Sequence, residues 1–321
     1  MQWKRFFKVK GVSEMRIAEG PTTKKPSSGR AELLLMGLPC ILLVLVFNYG
    51  PLFGWAYAFF DYKPGLDLFQ SKFVGLKYIF SAFSDYALLN VLRNTLVLGA
   101  LSIAASVIPL IFAMFLNEMS SRKLKRIIQT VTTFPNFISW ILVFSLFFIF
   151  FSAGDGYVNK LLLALGVIPQ AINLLADEQA VWPLQTLLSI WKTVGFSAII
   201  YLAAIAGIDP GLYDAADVDG AGRYRKMFHI TVPELLPTFF TLLLLGIGNI
   251  LSNGFDQYYL FYNHLVSDRI LVLDVYLYQV GLGMNLFSLS TALGMIKTVV
   301  SILLLFGANG LSRAFRGTAI I

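Results

Sequence analysis

Six runs of roughly 20 mostly apolar residues, each ended by charge, Pro or Gly, govern what this chain can become, because a helix of about that length crosses the hydrocarbon layer of a bilayer. They cover approximately residues 33–55, 94–116, 127–151, 184–205, 235–251 and 289–307. The fifth is the shortest, and Pro237 near its start is tolerated where neighbouring groups satisfy the freed carbonyl. The composition agrees: 57% of residues are hydrophobic and 13% charged, with a mean hydropathy of +0.72. The fold class predicted is an all-α integral membrane protein with six transmembrane helices.

Topology follows from the basic residues. The tail 1–32, the segment 122–126, the turn Arg223–Lys226 and the pair Arg313 and Arg316 together carry seventeen Lys or Arg. All of these lie on one face of a six-span arrangement. The other face carries six: Lys63, Lys72, Lys77, Arg93, Lys160 and Arg269. The positive-inside rule makes the first face cytoplasmic, with both termini on it, in a multi-pass membrane protein. Residues 1–32 read as a basic cytoplasmic tail near anionic lipid, not as a cleaved signal, since no apolar segment precedes residue 33. Residues 33–321 form the membrane domain, with a core at 90–315. The formal charge of +7 is spread over short patches between apolar runs, which excludes an extended nucleic-acid surface. Cys40 stands alone, without a disulfide framework or a CxxC pair.

The loop 208–233 is the most informative connector. Asp209 is a good N-cap and Pro210 suits the first helical position, so a short helix is predicted to start there. Gly220 and Gly222 are expected to end it. Ala215 and Ala216 leave a thin face that fits a groove, Leu212, Tyr213 and Val218 supply apolar contacts, and Asp214, Asp217 and Asp219 ring it with acid. A basic turn beginning at Arg223 then leads to Val232-Pro233.

Asp214-Ala215-Ala216, three residues, Gly220, nine residues, Ile230, one residue and Val232-Pro233 resembles the EAA loop of the permease subunits of type I ATP-binding-cassette importers. Asp replaces the usual Glu and Val the usual Leu. Tyr49-Gly50-Pro51, the stretch 58–65, Val74-Gly75-Leu76, the stretch 134–140 and Gly156-Tyr157-Val158-Asn159 are similar to the oligosaccharide-importing branch of that family. The resemblance implies the type I importer permease fold and alternating access. It implies that Tyr213, Asp214, Ala215, Ala216, Asp217, Asp219, Gly220 and Arg223 couple to a separate ATPase dimer, which a multi-sugar ATPase shared with other importers could supply. It further implies a second homologous permease subunit in a heteromeric complex, an extracellular solute-binding lipoprotein and a multi-residue sugar, pectin- or rhamnogalacturonan-derived fragments among the candidates.

No GxxxxGK[ST] stretch occurs, so Mg-ATP is expected on the partner ATPase and no cofactor on this chain. His229 and His264 lack paired ligand spacing, and no nucleophile motif is present, so the chain reads as a transporter subunit and not an enzyme.

For the substrate path, Asn249, Asn253, Asp256, Gln257, Tyr258 and Tyr259 form the richest polar run near a span. Spacings of four and three place Asn249, Asn253 and Asp256 on one helical face if the helix continues. The competing reading is a helix end bonded to its neighbours. Trp140 and Trp191 could stack on sugar rings, or sit at interfaces or in packing. Lys192 and Lys297 are the two basic residues inside spans, each about 12 Å below the start of its run at 1.5 Å per residue. Facing a cavity, they would favour an anionic saccharide; otherwise they snorkel or pair with an acid. An ion-gradient-driven secondary transporter or channel would instead show inverted repeats and broken helices, and a membrane scaffold would bind no ATPase.

Overall fold

The computed structural model describes residues 28–83 and 86–316. The expected basic tail therefore lies, up to residue 27, outside the described residues, as do the side chains of Arg313 and Arg316. Residues up to Phe53 and those from Gly54 onward form two units. In the first, α1 (Ser28–Val44) runs into a π turn, Leu45–Tyr49. The apolar stretch Glu32–Phe59, 28 residues with a hydropathy of 2.2, has the length and composition to cross a membrane.

The second unit begins with a small antiparallel pair, β1 (Phe60–Asp61) against β2 (Lys72–Phe73), and a short α2 (Lys77–Ala82). It continues through α3 (Tyr86–Ala105), α4 (Val107–Asn117), α5 (Arg122–Thr133), α6 (Trp140–Phe151), α7 (Tyr157–Ala164) and α8 (Val181–Ala206). Then follow α9 (Pro210–Val218), α10 (Arg223–Lys226), α11 (Val232–Gly248), α12 (Phe255–Phe261), α13 (Ser267–Ile270), α14 (Leu273–Tyr278) and α15 (Phe287–Arg316). Among the described residues five helices are long and apolar enough to cross a membrane, or six if one bent pair counts as a single span.

That bent pair corrects the third predicted run. Residues 127–151 do not form one straight helix; α5, with the 3-10 turn Phe134–Phe137, meets α6 at 100°. Pro135 cannot donate into a continuing helix, and Ser139 accepts from Leu142 N at 3.5 Å as the N-cap of a new one. The fifth run is corrected in the other direction. Arg223–Gly248 is one helical rod of 26 residues, about 39 Å long at 1.5 Å per residue, through a π turn at Met227–Thr231. The basic turn is thus the first turn of the span itself.

Helix α8 is the strut around which this unit packs. Its Ala198, Tyr201 and Ile205 meet Leu110, Ala113 and Met114 of α4 and Leu235 of α11 in one buried cluster. Val181, at its other end, joins Leu98, Phe147, Tyr258 and Phe261 in a second. Close approach is built in by glycine: a Cβ on Gly195 would lie 2.3 Å from the Thr132 carbonyl of α5, and one on Gly99 2.6 Å from the Ile250 carbonyl.

Candidate functional site

The short helix after α8 forms as its sequence predicts. Asp209 caps α9, accepting from Gly211 N at 2.9 Å, with Pro210 at the first position. Gly220 ends it at φ +70°, a left-handed conformation that suits glycine. Gly222 has a different role, as the N-cap of α10. Asp214, Ala215 and Asp219 are exposed, Ala216 is half-buried, and Val218 is 89% exposed. Three residues of the loop are bonded to neighbouring elements, however. The Tyr213 and Thr231 hydroxyls share a hydrogen bond of 2.9 Å, Lys226 Nζ donates to Asp217 Oδ1 at 2.6 Å, and Arg223 Nε donates to Glu118 Oε2 at 3.0 Å. Arg223 also donates to the Glu118 carbonyl. Helix α9 is therefore tied to the rod beneath it at Tyr213 and Asp217, and the rod to the end of α4 at Arg223. These ties also bring the basic turn beside the loop that leads to the basic segment 122–126, on one end of the unit.

Two cavities open between the helices. The first, of about 350 Å³, is lined by α3, α4, α8 and α11 and by the segment after α11. Thr186, Ser189, Thr193 and Ser197, spaced by three and four, turn one hydroxyl-bearing face of α8 toward it. Asn249, Asn253 and Tyr258 complete the polar wall. The second, of about 500 Å³, is lined by Trp55, Asn249, Ser252, Thr291, Lys297, Thr298 and Ser301. Asn249 and Ser252 border both. Hydroxyls, amides and an indole suit a polyhydroxylated ligand, which is held by directed hydrogen bonds and stacking.

The predicted substrate-path residues separate on this map. Helix α11 stops at Gly248 and Gly254 has φ +95°, so Asn249, Asn253 and Asp256 do not share a helical face. Asn249 Nδ2 donates to the Leu245 carbonyl and Asn253 Nδ2 to the Thr95 carbonyl, while Asn253 Oδ1 is buried without a hydrogen-bond partner among the described residues. Asp256 is exposed and lines neither cavity; Gln257 is buried, donating to the side chain and carbonyl of Gln185 at 2.8 and 2.9 Å. Tyr258 stays on the first cavity, and Tyr259 is stacked on Phe255. Trp191 is 46% exposed and lines neither cavity.

The two intramembrane lysines part company. Lys297 borders the second cavity and pairs with Asp274 of α14. Lys192 borders neither cavity; it is 7% exposed, and its ammonium donates to the Pro135, Asn136 and Ile138 carbonyls at the 100° bend, 5.4 Å from the Trp140 ring centroid. Neither snorkelling nor an acid explains it, and Trp140 serves that contact. Missed by sequence reading were buried Asn94, which donates to the Asp268 and Leu271 carbonyls, and buried Gln185. A polar side chain inside an apolar run is the signal that could have found them.

Residues 105–317 match the family model described as binding-protein-dependent transport system inner membrane component. Protein LplB of Bacillus subtilis (strain 168) is 41% identical over 284 residues, 88% of this chain and 89% of that protein. The polygalacturonan/rhamnogalacturonan transport system permease protein YteP of the same organism is 40% identical over 284 residues, 88% of each chain. Among solved structures, a bacterial alginate ABC transporter in complex with an alginate pentasaccharide-bound periplasmic protein aligns with TM-score 0.82 at 32% identity, covering 91% of this chain and 98% of that one.

Proposed function

The chain belongs to the binding-protein-dependent transport system inner membrane components, as a permease subunit of a sugar importer, and from that premise we propose that it carries an oligosaccharide into the cytoplasm by alternating access. A separate ATPase dimer holding Mg-ATP grips α9, and its closure tilts the rod 223–248. A second permease subunit completes the path, and an extracellular binding lipoprotein delivers the cargo. The observation that carries this reading is the capped, outward-facing α9 bonded to a helical rod whose far end lines the first cavity and whose C-cap, Asn249, borders both. Motion of α9 thus passes to the rod through the Tyr213–Thr231 and Asp217–Lys226 bonds and along it to Asn249. Both termini lie on the ATPase side of a bacterial plasma membrane.

The cargo we propose is an acidic oligosaccharide of the pectin or rhamnogalacturonan class. Its support is the name of a relative that transports such polymers, the alginate importer of like fold, and a cavity that joins Trp55 and hydroxyls to Lys297. Asp274 takes one of the three N–H donors of Lys297, and the others suit cargo hydroxyls or a carboxylate. Lys192 has no part in that selection.

The test is co-purification and uptake. Ala215 is exposed, so Ala215→Glu should leave membrane insertion intact while it removes the ATPase from the purified complex and abolishes uptake of a radiolabelled galacturonate oligomer. Full ATPase binding and uptake in that variant would refute the coupling role of α9.

A further inference from the structure

The third span is broken where it can least afford unsatisfied backbone. Ile138 and Ser139 are extended, so the carbonyls of Asn136 and Ile138 leave the helical ladder. The Leu142 N–H, which a continuous helix would offer to Ile138, goes instead to Ser139 Oγ. At membrane depth such acceptors have no water to turn to. Lys192 meets this need by chemistry: an ammonium has three donors and no acceptor, and its three hydrogen bonds end on Pro135, Asn136 and Ile138. The Trp140 ring shields the charge from the apolar side.

The same face of α8 carries a second adaptation, three residues on. Gly195 lets the Thr132–Thr133 backbone approach so closely that no Cβ fits, and Phe196 meets Phe137 edge to face at 6.3 Å. The hydroxyl face of α8, by contrast, looks into the first cavity. Helix α8 is thus keyed to the elbow on one side and to the substrate path on the other.

We propose that Lys192 is a positioning residue for transport: it replaces the backbone donors missing from the broken span and pins that elbow to α8, so that elbow and α8 move as one rigid piece. The residue acts through backbone and touches no cargo. The proposal rests on the importer reading only for its assay; a wild-type complex without uptake would count against that reading and not against the pin.

The experiment uses the full complex with ATPase and binding protein in proteoliposomes, in a Cys40→Ser background. Lys192→Met should lower uptake by about tenfold or more, the stranded carbonyls being costly in lipid, and by the same factor for acidic and neutral oligosaccharides. A short bifunctional thiol cross-linker across Phe137→Cys and Phe196→Cys should leave otherwise unmodified protein within about twofold of its uptake, since a rigid joint tolerates a fixed link. It should also restore several-fold activity to Lys192→Met. Loss confined to acidic cargo, normal uptake by Lys192→Met, failure of the cross-link to rescue, or a cross-link that blocks transport by itself would each overturn the proposal. Should Lys192→Met fail to assemble, the cross-link in the Lys192 protein decides: retained uptake supports the pin and blocked uptake refutes it.

Discussion

Replacing Lys297 by Met isolates the energetics of the one charge pair between α14 and α15 described above. In the native chain the Lys297 and Asp274 side chains are 16% and 18% exposed, so both charges are largely withdrawn from solvent. Lys297→Met leaves the Asp274 carboxylate with the Gly254 N–H at 3.3 Å as its remaining hydrogen bond to the segment after α11. Breaking a buried pair from one side costs about 3–5 kcal/mol, and the residual exposure points to about 3. At about 1.5 °C per kcal/mol for a chain of this size, from about 2.1 cal/mol/K of unfolding entropy per residue, the unfolding midpoint should fall by about 4–5 °C. Replacing both partners, Lys297→Met with Asp274→Leu, removes the stranded charge and should return most of that loss, since apolar substitutes for a buried pair are often neutral. The assay is thermal unfolding of the purified complex in nanodiscs, followed by tryptophan fluorescence, for both single variants and the double. A double variant that melts as low as Lys297→Met would refute the reasoning, because the damage would then not come from an unpaired carboxylate. Uptake by the stable double variant separates structure from selection. Neutral cargo carried and acidic cargo refused is the outcome expected if Lys297 reads a carboxylate.

Gly195→Ala should destabilise the complex by about 1–3 kcal/mol or more, because its Cβ, 2.3 Å from the Thr132 backbone, must force α5 and α8 apart by about 1 Å. Gly246→Ala is the control, its nearest neighbour lying at 3.9 Å, and a thermal shift as large as that of Gly195→Ala would refute the close-approach reading. Asp209→Ala removes the cap of α9 and should cost that helix about 1 kcal/mol, seen as faster amide exchange at residues 211–213 and reversed by Asp209→Ser. Arg223→Ala should leave the thermal midpoint within about 1 kcal/mol equivalent, since its pair with Glu118 is 61% and 34% exposed. It should nonetheless lower substrate-stimulated ATP hydrolysis several-fold, and Glu118→Gln should weaken it in the same direction; unchanged stimulation in both would remove that tie from the coupling path.

What was legible in the sequence was what neighbours in sequence decide. Asp209, Pro210 and Gly220 set the ends of α9 through local capping and a left-handed residue, so spacing alone placed the helix. The apolar runs announced themselves because crossing a bilayer needs length and little else. The elbow was hidden because Ile127, Ile128 and Val131 of α5 extend the apolar run of α6 back across it, and hydropathy does not register a change of direction. Pro135 followed by Ser139 was the available signal, a stop and an N-cap four residues apart. The polar face expected over residues 249–256 failed for a similar reason. Gly254 reads as a mild interruption in a pattern, yet its φ of +95° redirects the chain and sends Gln257 into the core while Asn249 stays on the cavities.

Lys192 and Lys297 show why the remainder of the site was not legible. Both are single cations in apolar runs, at the same distance in sequence from the starts of runs 184–205 and 289–307, and nothing in their own helices distinguishes them. What separates them lies on other segments: three carbonyls 54 to 57 residues before Lys192 and a carboxylate 23 residues before Lys297. A cation inside a span faces a cavity, pairs with an acid or binds backbone carbonyls, and a broken helix is where backbone carbonyls are set free to accept. Whether such a lysine is a ligand-reading charge or a structural pin therefore turns on the integrity of the span it faces. A Pro with a Ser or Thr N-cap four residues on, inside an otherwise unbroken apolar run, is the feature that would have paired Lys192 with the elbow in place of the cargo.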